Sequence, residues 1–128
     1  MAVALIVTDS PEEAFHTQQI LDGFFDCVRA CNTLESAKRQ MSGLTPDLMI
    51  VFRLGDAGNQ ALLDLSRIGG RETPILLMRS GLHIVDEAEP KCLVRAAPPL
   101  NRLNLVKALN SLGLAEIVNH TSLPDHGR

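Results

Sequence analysis

The sequence predicts an α/β fold in which five parallel strands alternate with helices. The first observation is composition: the 128 residues are 45% hydrophobic but only 3% aromatic, so the core must be aliphatic. The second is a series of five short, mainly apolar runs, the first of which is rich in β-branched residues, a pattern typical of strands in a buried parallel sheet. The third is that helix signals separate these runs, as they do in βαβ units.

The first strand is predicted over residues 2–7, and a helix follows it. Ser10 and Glu13 have the spacing of a capping box, and Pro11 stands at the first helical position. Apolar or small residues then recur at helical spacing and form the predicted buried stripe, which consists of Ala14, Thr17, Ile20, Leu21 and Phe24. Gly23 is predicted to end this helix.

The next strand–helix unit starts at the second apolar run, residues 27–31. Asn32 and Glu35 have capping-box spacing and predict the start of a helix that continues to about Met41. The all-apolar segment 48–52 is the third predicted strand, of the kind that is buried on both faces in a parallel sheet.

The second half of the chain continues the alternation. We predict a helix over 61–68, a fourth strand over 75–78, a short mixed stretch over 80–90 in which at most a shortened fourth helix fits, a fifth strand over 92–96, and a last helix that is capped by Asn101 and broken near Gly113.

Right-handed crossovers leave few arrangements for these elements, of which a single doubly wound, flavodoxin-like (βα)5 sheet is the best match. We assign residues 1–115 to this domain, and 116–128 to an extension of the last helix and a disordered polar tail. The chain is then a stand-alone module or the amino-terminal piece of a larger protein. In such folds ligands bind beyond the carboxyl ends of the strands, so functional residues are expected there.

Composition excludes several classes of function. The net charge of −3 and the lack of Trp and Tyr argue against binding to duplex DNA, anionic lipid or stacked bases. No apolar run has the length of a membrane span, which predicts a cytoplasmic protein. Three Cys and four His lack the spacing of metal ligands, so we predict no metal ion and no other cofactor.

Four segments, in order, resemble the receiver domain of two-component response regulators. They are ALIVTDSP (4–11), PDLMIV (46–51), TPILL (73–77), and Pro99-Leu100 with Leu105 and Leu109. The resemblance covers residues 2–112. It implies a CheY-like fold and a role in signal transduction, in which an aspartate is phosphorylated with the help of Mg²⁺ held by a pair of acidic residues, a hydroxyl group and a lysine.

The residues at those chemical positions differ from the family pattern. The first acidic residue, the aspartate nucleophile, the hydroxyl group and the lysine fall, in this order, on Thr8, Phe52, Arg79 and Pro98 (or Ala97, with a shift of one residue). Asp9 alone remains of the acidic pair, and one carboxylate holds Mg²⁺ weakly. The resemblance therefore implies a degenerate, atypical member, a pseudo-receiver that is neither phosphorylated nor an enzyme.

Such a module would act through protein–protein interaction. The candidate partner surface lies around the fourth helix, the last strand and the last helix, and its residues are Ile84, Val85, Leu93, Leu103 and Val106. By analogy with the family, the partner is a signalling protein, a kinase or a second receiver-like subunit, including a second copy of the chain.

Three other readings of the strand ends stay open. Arginines lie at or near the carboxyl ends of strands three to five, and Arg53, Arg79 and Arg95, with Ser80, could bind an anionic nucleotide. A cyclic dinucleotide is one example, because some degenerate receivers bind one. Arg79 could instead pair with Asp9 or Asp56 and replace the charge of the metal. The third reading is a phosphorylatable response regulator with a displaced acceptor, for which Asp56 is the nearest carboxylate downstream of Phe52.

Overall fold

The computed structural model describes residues 2–43, 45–52, 64–68, 72–78, 93–96 and 100–117. The strands are β1 (Val3–Val7), β2 (Cys27–Cys31), β3 (Leu48–Phe52), β4 (Ile75–Met78) and β5 (Leu93–Ala96), and the helices are α1 (Pro11–Leu21), α2 (Leu34–Gly43) and α3 (Arg102–Ser111). Residues 64–66 are also helical, within the predicted helix over 61–68. The predicted fourth helix lies outside the described residues.

All four strand pairings are parallel, and the order of the strands is β2-β1-β3-β4-β5. This order confirms the predicted doubly wound sheet. β1 and β3 are central neighbours although β2 lies between them in the sequence, so the chain reverses its winding direction beside β1. The carboxyl ends of β1 and β3 therefore meet at the place where such sheets bind ligands.

The sheet divides the core into two apolar clusters, because successive side chains of a strand point to opposite faces. One cluster joins α1 and α3 to the sheet through residues that include Ile6, Ile50, Leu76, Leu21 and Leu105. The other joins α2 to the sheet through residues that include Leu5, Met49, Leu77, Ala37 and Met41. Both faces of the central strands are covered, which explains their continuous apolar sequences.

The ends of the helices refine two predictions. In α2 the cap is Thr33, whose hydroxyl accepts a hydrogen bond from the Ser36 N–H at 3.0 Å, so the predicted box of Asn32 and Glu35 was wrong by one residue. Both Asn and Thr are good caps. The first helical bond runs from the Ala37 N–H to the Thr33 carbonyl and so identifies Thr33 as the cap.

The last helix starts and stops where the sequence predicts. Asn101 caps α3 with its side-chain oxygen. Gly113 has a φ of +78°, the left-handed conformation that glycine adopts without strain. The Leu114 N–H then donates to the Leu109 carbonyl at 2.7 Å, which completes a Schellman motif and ends the helix.

Two aspartates hold the amino end of β1. The Asp47 carboxylate accepts from the Val3 N–H at 2.8 Å, while the Asp47 N–H donates to the Val3 carbonyl at 2.7 Å. Asp26 makes the same pair of bonds with Ala2, each 2.8 Å long. These carboxylates lie at the edge of the sheet opposite the strand ends of the predicted site, so the Asp of the PDL segment has a structural role.

We predict that Thr17→Val raises the free energy of unfolding by about 1 kcal/mol. Thr17 is fully buried in α1, and within the described residues its hydroxyl is the buried side-chain group that has no hydrogen-bond partner. Thr33→Val is the matched control, because it removes a hydroxyl that caps α2 and should lower stability by about 1 kcal/mol. Urea unfolding measures both, and a loss of stability in Thr17→Val would contradict the prediction.

Candidate functional site at the carboxyl ends of β1 and β3

Phe52 is the last residue of β3 and occupies the position at which the resemblance places an aspartate. Its side chain is 3% exposed and belongs to the cluster under α1 and α3. In the sheet register Phe52 pairs with Met78, and Leu100 is buried in the same cluster. A phenyl ring has no group that can attack phosphorus or coordinate a cation, so this position contributes packing and no reactive atom.

Thr8 follows β1 and is 3% exposed. Its hydroxyl donates to a Glu13 carboxylate oxygen at 2.8 Å and accepts from the Ser10 N–H at 3.2 Å. Ser10 in turn accepts from the Glu13 N–H at 3.3 Å, so one half of the predicted capping box is present. The second bond of a capping box, from the Ser10 N–H to the Glu13 carboxylate, is replaced by two bonds through the Thr8 hydroxyl, which bridges these groups.

Thr8, Asp9 and Phe52 lie near one another because Val7 pairs with Val51 in the register of β1 and β3. Asp9 is exposed to solvent. In the described part of the chain, no three His, Cys, Asp or Glu side chains are grouped as metal ligands usually are. Glu13 is the member of this network that sequence reasoning did not assign to the site, although its place in the capping box was a signal.

The remaining predicted site residues are described only in part. Arg95 lies in β5 and pairs with Leu77, but its side chain is outside the description. The other residues of the arginine and phosphorylation-site hypotheses that lie outside the described residues are Arg53, Asp56, Arg79, Ser80, Ala97 and Pro98. The nucleotide-binding and displaced-acceptor hypotheses remain predictions.

A cleft of about 410 Å³ opens beyond the carboxyl ends of β1 and β2. Hydroxyl, amide and carboxylate groups contribute to its lining, in the side chains of Thr8, Asp9, Ser10, Asn32, Ser36 and Gln40. These groups can form hydrogen bonds with a small polar molecule. The described lining contains no arginine or lysine.

Cys31 lines the cleft at the end of β2, and its thiol donates to the Ile6 carbonyl at 3.7 Å. Burial raises the pKa of this thiol from 9.0 to about 11. Between these values the folded protein keeps a proton that the unfolded chain releases, so the free energy of unfolding should fall as the pH rises from 9.0 to about 11.

The test compares urea unfolding of the wild type and Cys31→Ala across that pH range. The wild type should lose stability more steeply than the variant, because the variant lacks the thiol that titrates. Parallel pH profiles would contradict the assignment of a raised pKa to Cys31.

The predicted partner surface is divided by the fold. Leu103 is 62% exposed on α3. Val106 is half-buried against the cluster under α1 and α3, whereas Leu93 is half-buried against the cluster under α2, so these two side chains point to opposite faces of the sheet. Ile84 and Val85 lie outside the described residues.

Phe15 is an exposed residue that the sequence reasoning missed. Its side chain is 64% exposed on α1. The signal was available, because position 15 lies off the predicted buried stripe of that helix. An exposed aromatic residue is a candidate contact residue, and this chain has only four Phe and no Trp or Tyr.

Comparison with known proteins gives matches in structure only. No family model and no curated protein matches the sequence. A CheY-like response regulator receiver domain from Methylobacillus flagellatus superposes with a TM-score of 0.74 at 18% identity, over 88% of this chain and 98% of that one.

Two further neighbours have lower TM-scores. The N-terminal domain of a response regulator/sensory box/GGDEF protein from Carboxydothermus hydrogenoformans has a TM-score of 0.64 at 25% identity, over 92% of this chain and 99% of that one. The BeF3-activated conformation of SdrG from Pseudomonas melonis has a TM-score of 0.60 at 19% identity, over 86% and 94%. None of the helices in the described residues is long and apolar enough to cross a membrane.

Proposed function

We propose that this chain, which has the fold of response regulator receiver domains, is a signalling module that binds other proteins without being phosphorylated on aspartate. Receiver domains transmit signals by contacting other signalling proteins. In a conventional receiver, phosphorylation changes those contacts. Here the contacts would depend on a surface that is already formed.

The burial of Phe52 carries this proposal. Phosphoryl transfer to a receiver needs a carboxylate at the end of β3 that attacks phosphorus, while a cation neutralises the phosphoryl oxygens. Phe52 is 3% exposed and packs in the cluster under α1 and α3. Replacing the reactive acid by a hydrocarbon removes the nucleophile and closes the position to solvent.

The Thr8 network supports the same conclusion for the cation. Mg²⁺ prefers several oxygen ligands, usually carboxylates and water. At Thr8 the resemblance implies an acidic residue, but the hydroxyl is committed to Glu13 and to the Ser10 N–H. Asp9 is then the one carboxylate of the acidic pair that is free to face a cation.

The test adds Mg²⁺ and beryllofluoride, a mimic of the phosphoryl group, to the ¹⁵N-labelled protein and follows its backbone amide shifts. We expect the amides of Thr8, Asp9 and Phe52 to show no change beyond that caused by Mg²⁺ alone. SdrG, which adopts a BeF3-activated conformation, is the positive control. A saturable, beryllofluoride-dependent shift at these amides would overturn the proposal, as would a phosphoryl adduct found by intact mass after incubation with acetyl phosphate.

A further inference from the structure

Two exposed apolar side chains lie on the same helical layer. In the described part of the chain, Phe15 on α1 is 64% exposed and Leu103 on α3 is 62% exposed. Both helices pack against one apolar cluster and therefore cover the same face of the sheet. A single exposed hydrophobic residue is ordinary, but two on neighbouring helices form the beginning of a contact surface.

The two residues occupy equivalent positions on their helices. Phe15 precedes the fully buried residues Thr17 and Leu21 by two and six positions, and Leu103 precedes Leu105 and Leu109 by the same intervals. At about 100° per residue, both side chains therefore point roughly away from the sheet.

Two contacts hold α1 and α3 side by side. The His16 Nε2 atom lies 3.1 Å from the Leu100 carbonyl oxygen, just before α3 begins. The Arg102 guanidinium carbon lies 4.8 Å from the centre of the Phe24 ring, just after α1 ends. His16 and Leu100 stand one and three residues from Phe15 and Leu103, so the two apolar side chains project from one continuous outer surface.

The charges on this surface are divided between the helices. α1 carries Glu12 and Glu13 and no Lys or Arg, whereas α3 carries Arg102 and Lys107 and no Asp or Glu. Glu12 and Lys107 are exposed, and they lie three and four residues from Phe15 and Leu103, on the same sides of their helices. The surface therefore contains an acidic helix and a basic helix, each with one exposed apolar residue.

We infer that this surface, which we call the α1–α3 face, is the interface of a symmetric dimer of the chain. This inference rests on the proposed function and names its partner as a second copy. A two-fold axis pairs a patch with itself, so α1 of each copy would pack against α3 of the other. Phe15 of each copy then packs against Leu103 of the other, and Glu12 of each copy pairs with Lys107 of the other. Each contact occurs twice in the dimer, so the apolar side chains are buried and the opposite charges are paired.

Sedimentation velocity over a concentration series tests the inference directly. With two exposed apolar residues from each copy the interface is small, so we expect a weak dimer that populates between about 10 µM and 1 mM. Phe15→Ser and Leu103→Ser should each leave the protein monomeric over that range. Both positions are exposed, so the variants should fold, and circular dichroism verifies that they do.

A charge exchange tests the pairing of the helices. Lys107→Glu should weaken the dimer about tenfold at low salt, and adding Glu12→Lys should restore it. Lys38→Glu is the matched control, because it makes the same charge change at an exposed position of α2, on the other face of the sheet. It should leave the dissociation constant unchanged.

A wild-type protein that stays monomeric up to about 1 mM would overturn the inference. So would a dimer that survives both serine variants, because it would use another face. Neither result affects the beryllofluoride experiment, so failure of the dimer and failure of the proposed function are separable.

Discussion

Phe52→Asp should lower the free energy of unfolding by more than about 4 kcal/mol, although aspartate is the residue that the resemblance to receiver domains implies at this position. The phenyl ring is 3% exposed and packs among residues of β4 and α3. Removing it leaves a cavity, and the new carboxylate would lie in an apolar cluster without a described cation beside it. Since domains of this size are stable by about 5–15 kcal/mol, the variant should be close to unfolding.

Urea unfolding followed by far-UV circular dichroism measures this effect, because the chain has no Trp or Tyr for fluorescence. Phe52→Leu is the control that keeps an apolar side chain, and it should cost no more than about 1.5 kcal/mol. If Phe52→Asp were as stable as Phe52→Leu, the carboxylate would have access to solvent or to a cation, and the argument from burial would fail.

Thr8→Asp should cost about 2–4 kcal/mol at neutral pH. The threonine hydroxyl donates to the Glu13 carboxylate at 2.8 Å, so an aspartate there would bring two negative groups into contact. It would also remove the donor that Glu13 uses. A carboxylate at position 8, where the resemblance implies the first acidic residue, is therefore disfavoured by the neighbouring Glu13, whereas a carboxylate at position 52 is disfavoured by apolar packing.

Two controls separate charge from shape in this prediction. Thr8→Asn has the shape of aspartate without its charge and can still donate to Glu13, so it should cost less. The penalty of Thr8→Asp should also shrink at acidic pH, where a pair of contacting carboxylates takes up a proton and the repulsion ends. A penalty that is independent of pH, or one that Mg²⁺ abolishes at neutral pH, would contradict this account.

The sheet was predictable from the sequence because its strands are coded locally. A strand buried on both faces must be apolar at every position, and segments such as 48–52 satisfy that requirement whatever their neighbours are. The caps Ser10 and Asn101 were also predictable, since the residue that caps a helix lies in the same segment as the helix.

The site was less predictable because it depends on contacts between segments. The resemblance implies an acid at the position of Phe52, but only the fold shows that the Phe52 ring is buried. In a full capping box the Ser10 N–H would donate to the Glu13 carboxylate, but here it donates to the Thr8 hydroxyl, which itself donates to Glu13. No spacing rule predicts which of the two acceptors the Ser10 N–H uses. Val106 and Leu103 belong to the same amphipathic pattern. The pattern alone does not say that Val106 packs against the apolar cluster under α1 and α3 while Leu103 is exposed to solvent.

The aspartate bonds at Ala2 and Val3 have a practical consequence for labelling. They lie at the amino end of β1, at the edge of the sheet opposite the strand ends that border the cleft, so the described chain starts at that edge with residue 2. An affinity tag or fluorescent protein fused before Ala2 would therefore be attached at the edge of the sheet opposite the cleft. A biosensor surface can therefore hold the molecule by its amino end and leave the cleft open to solution.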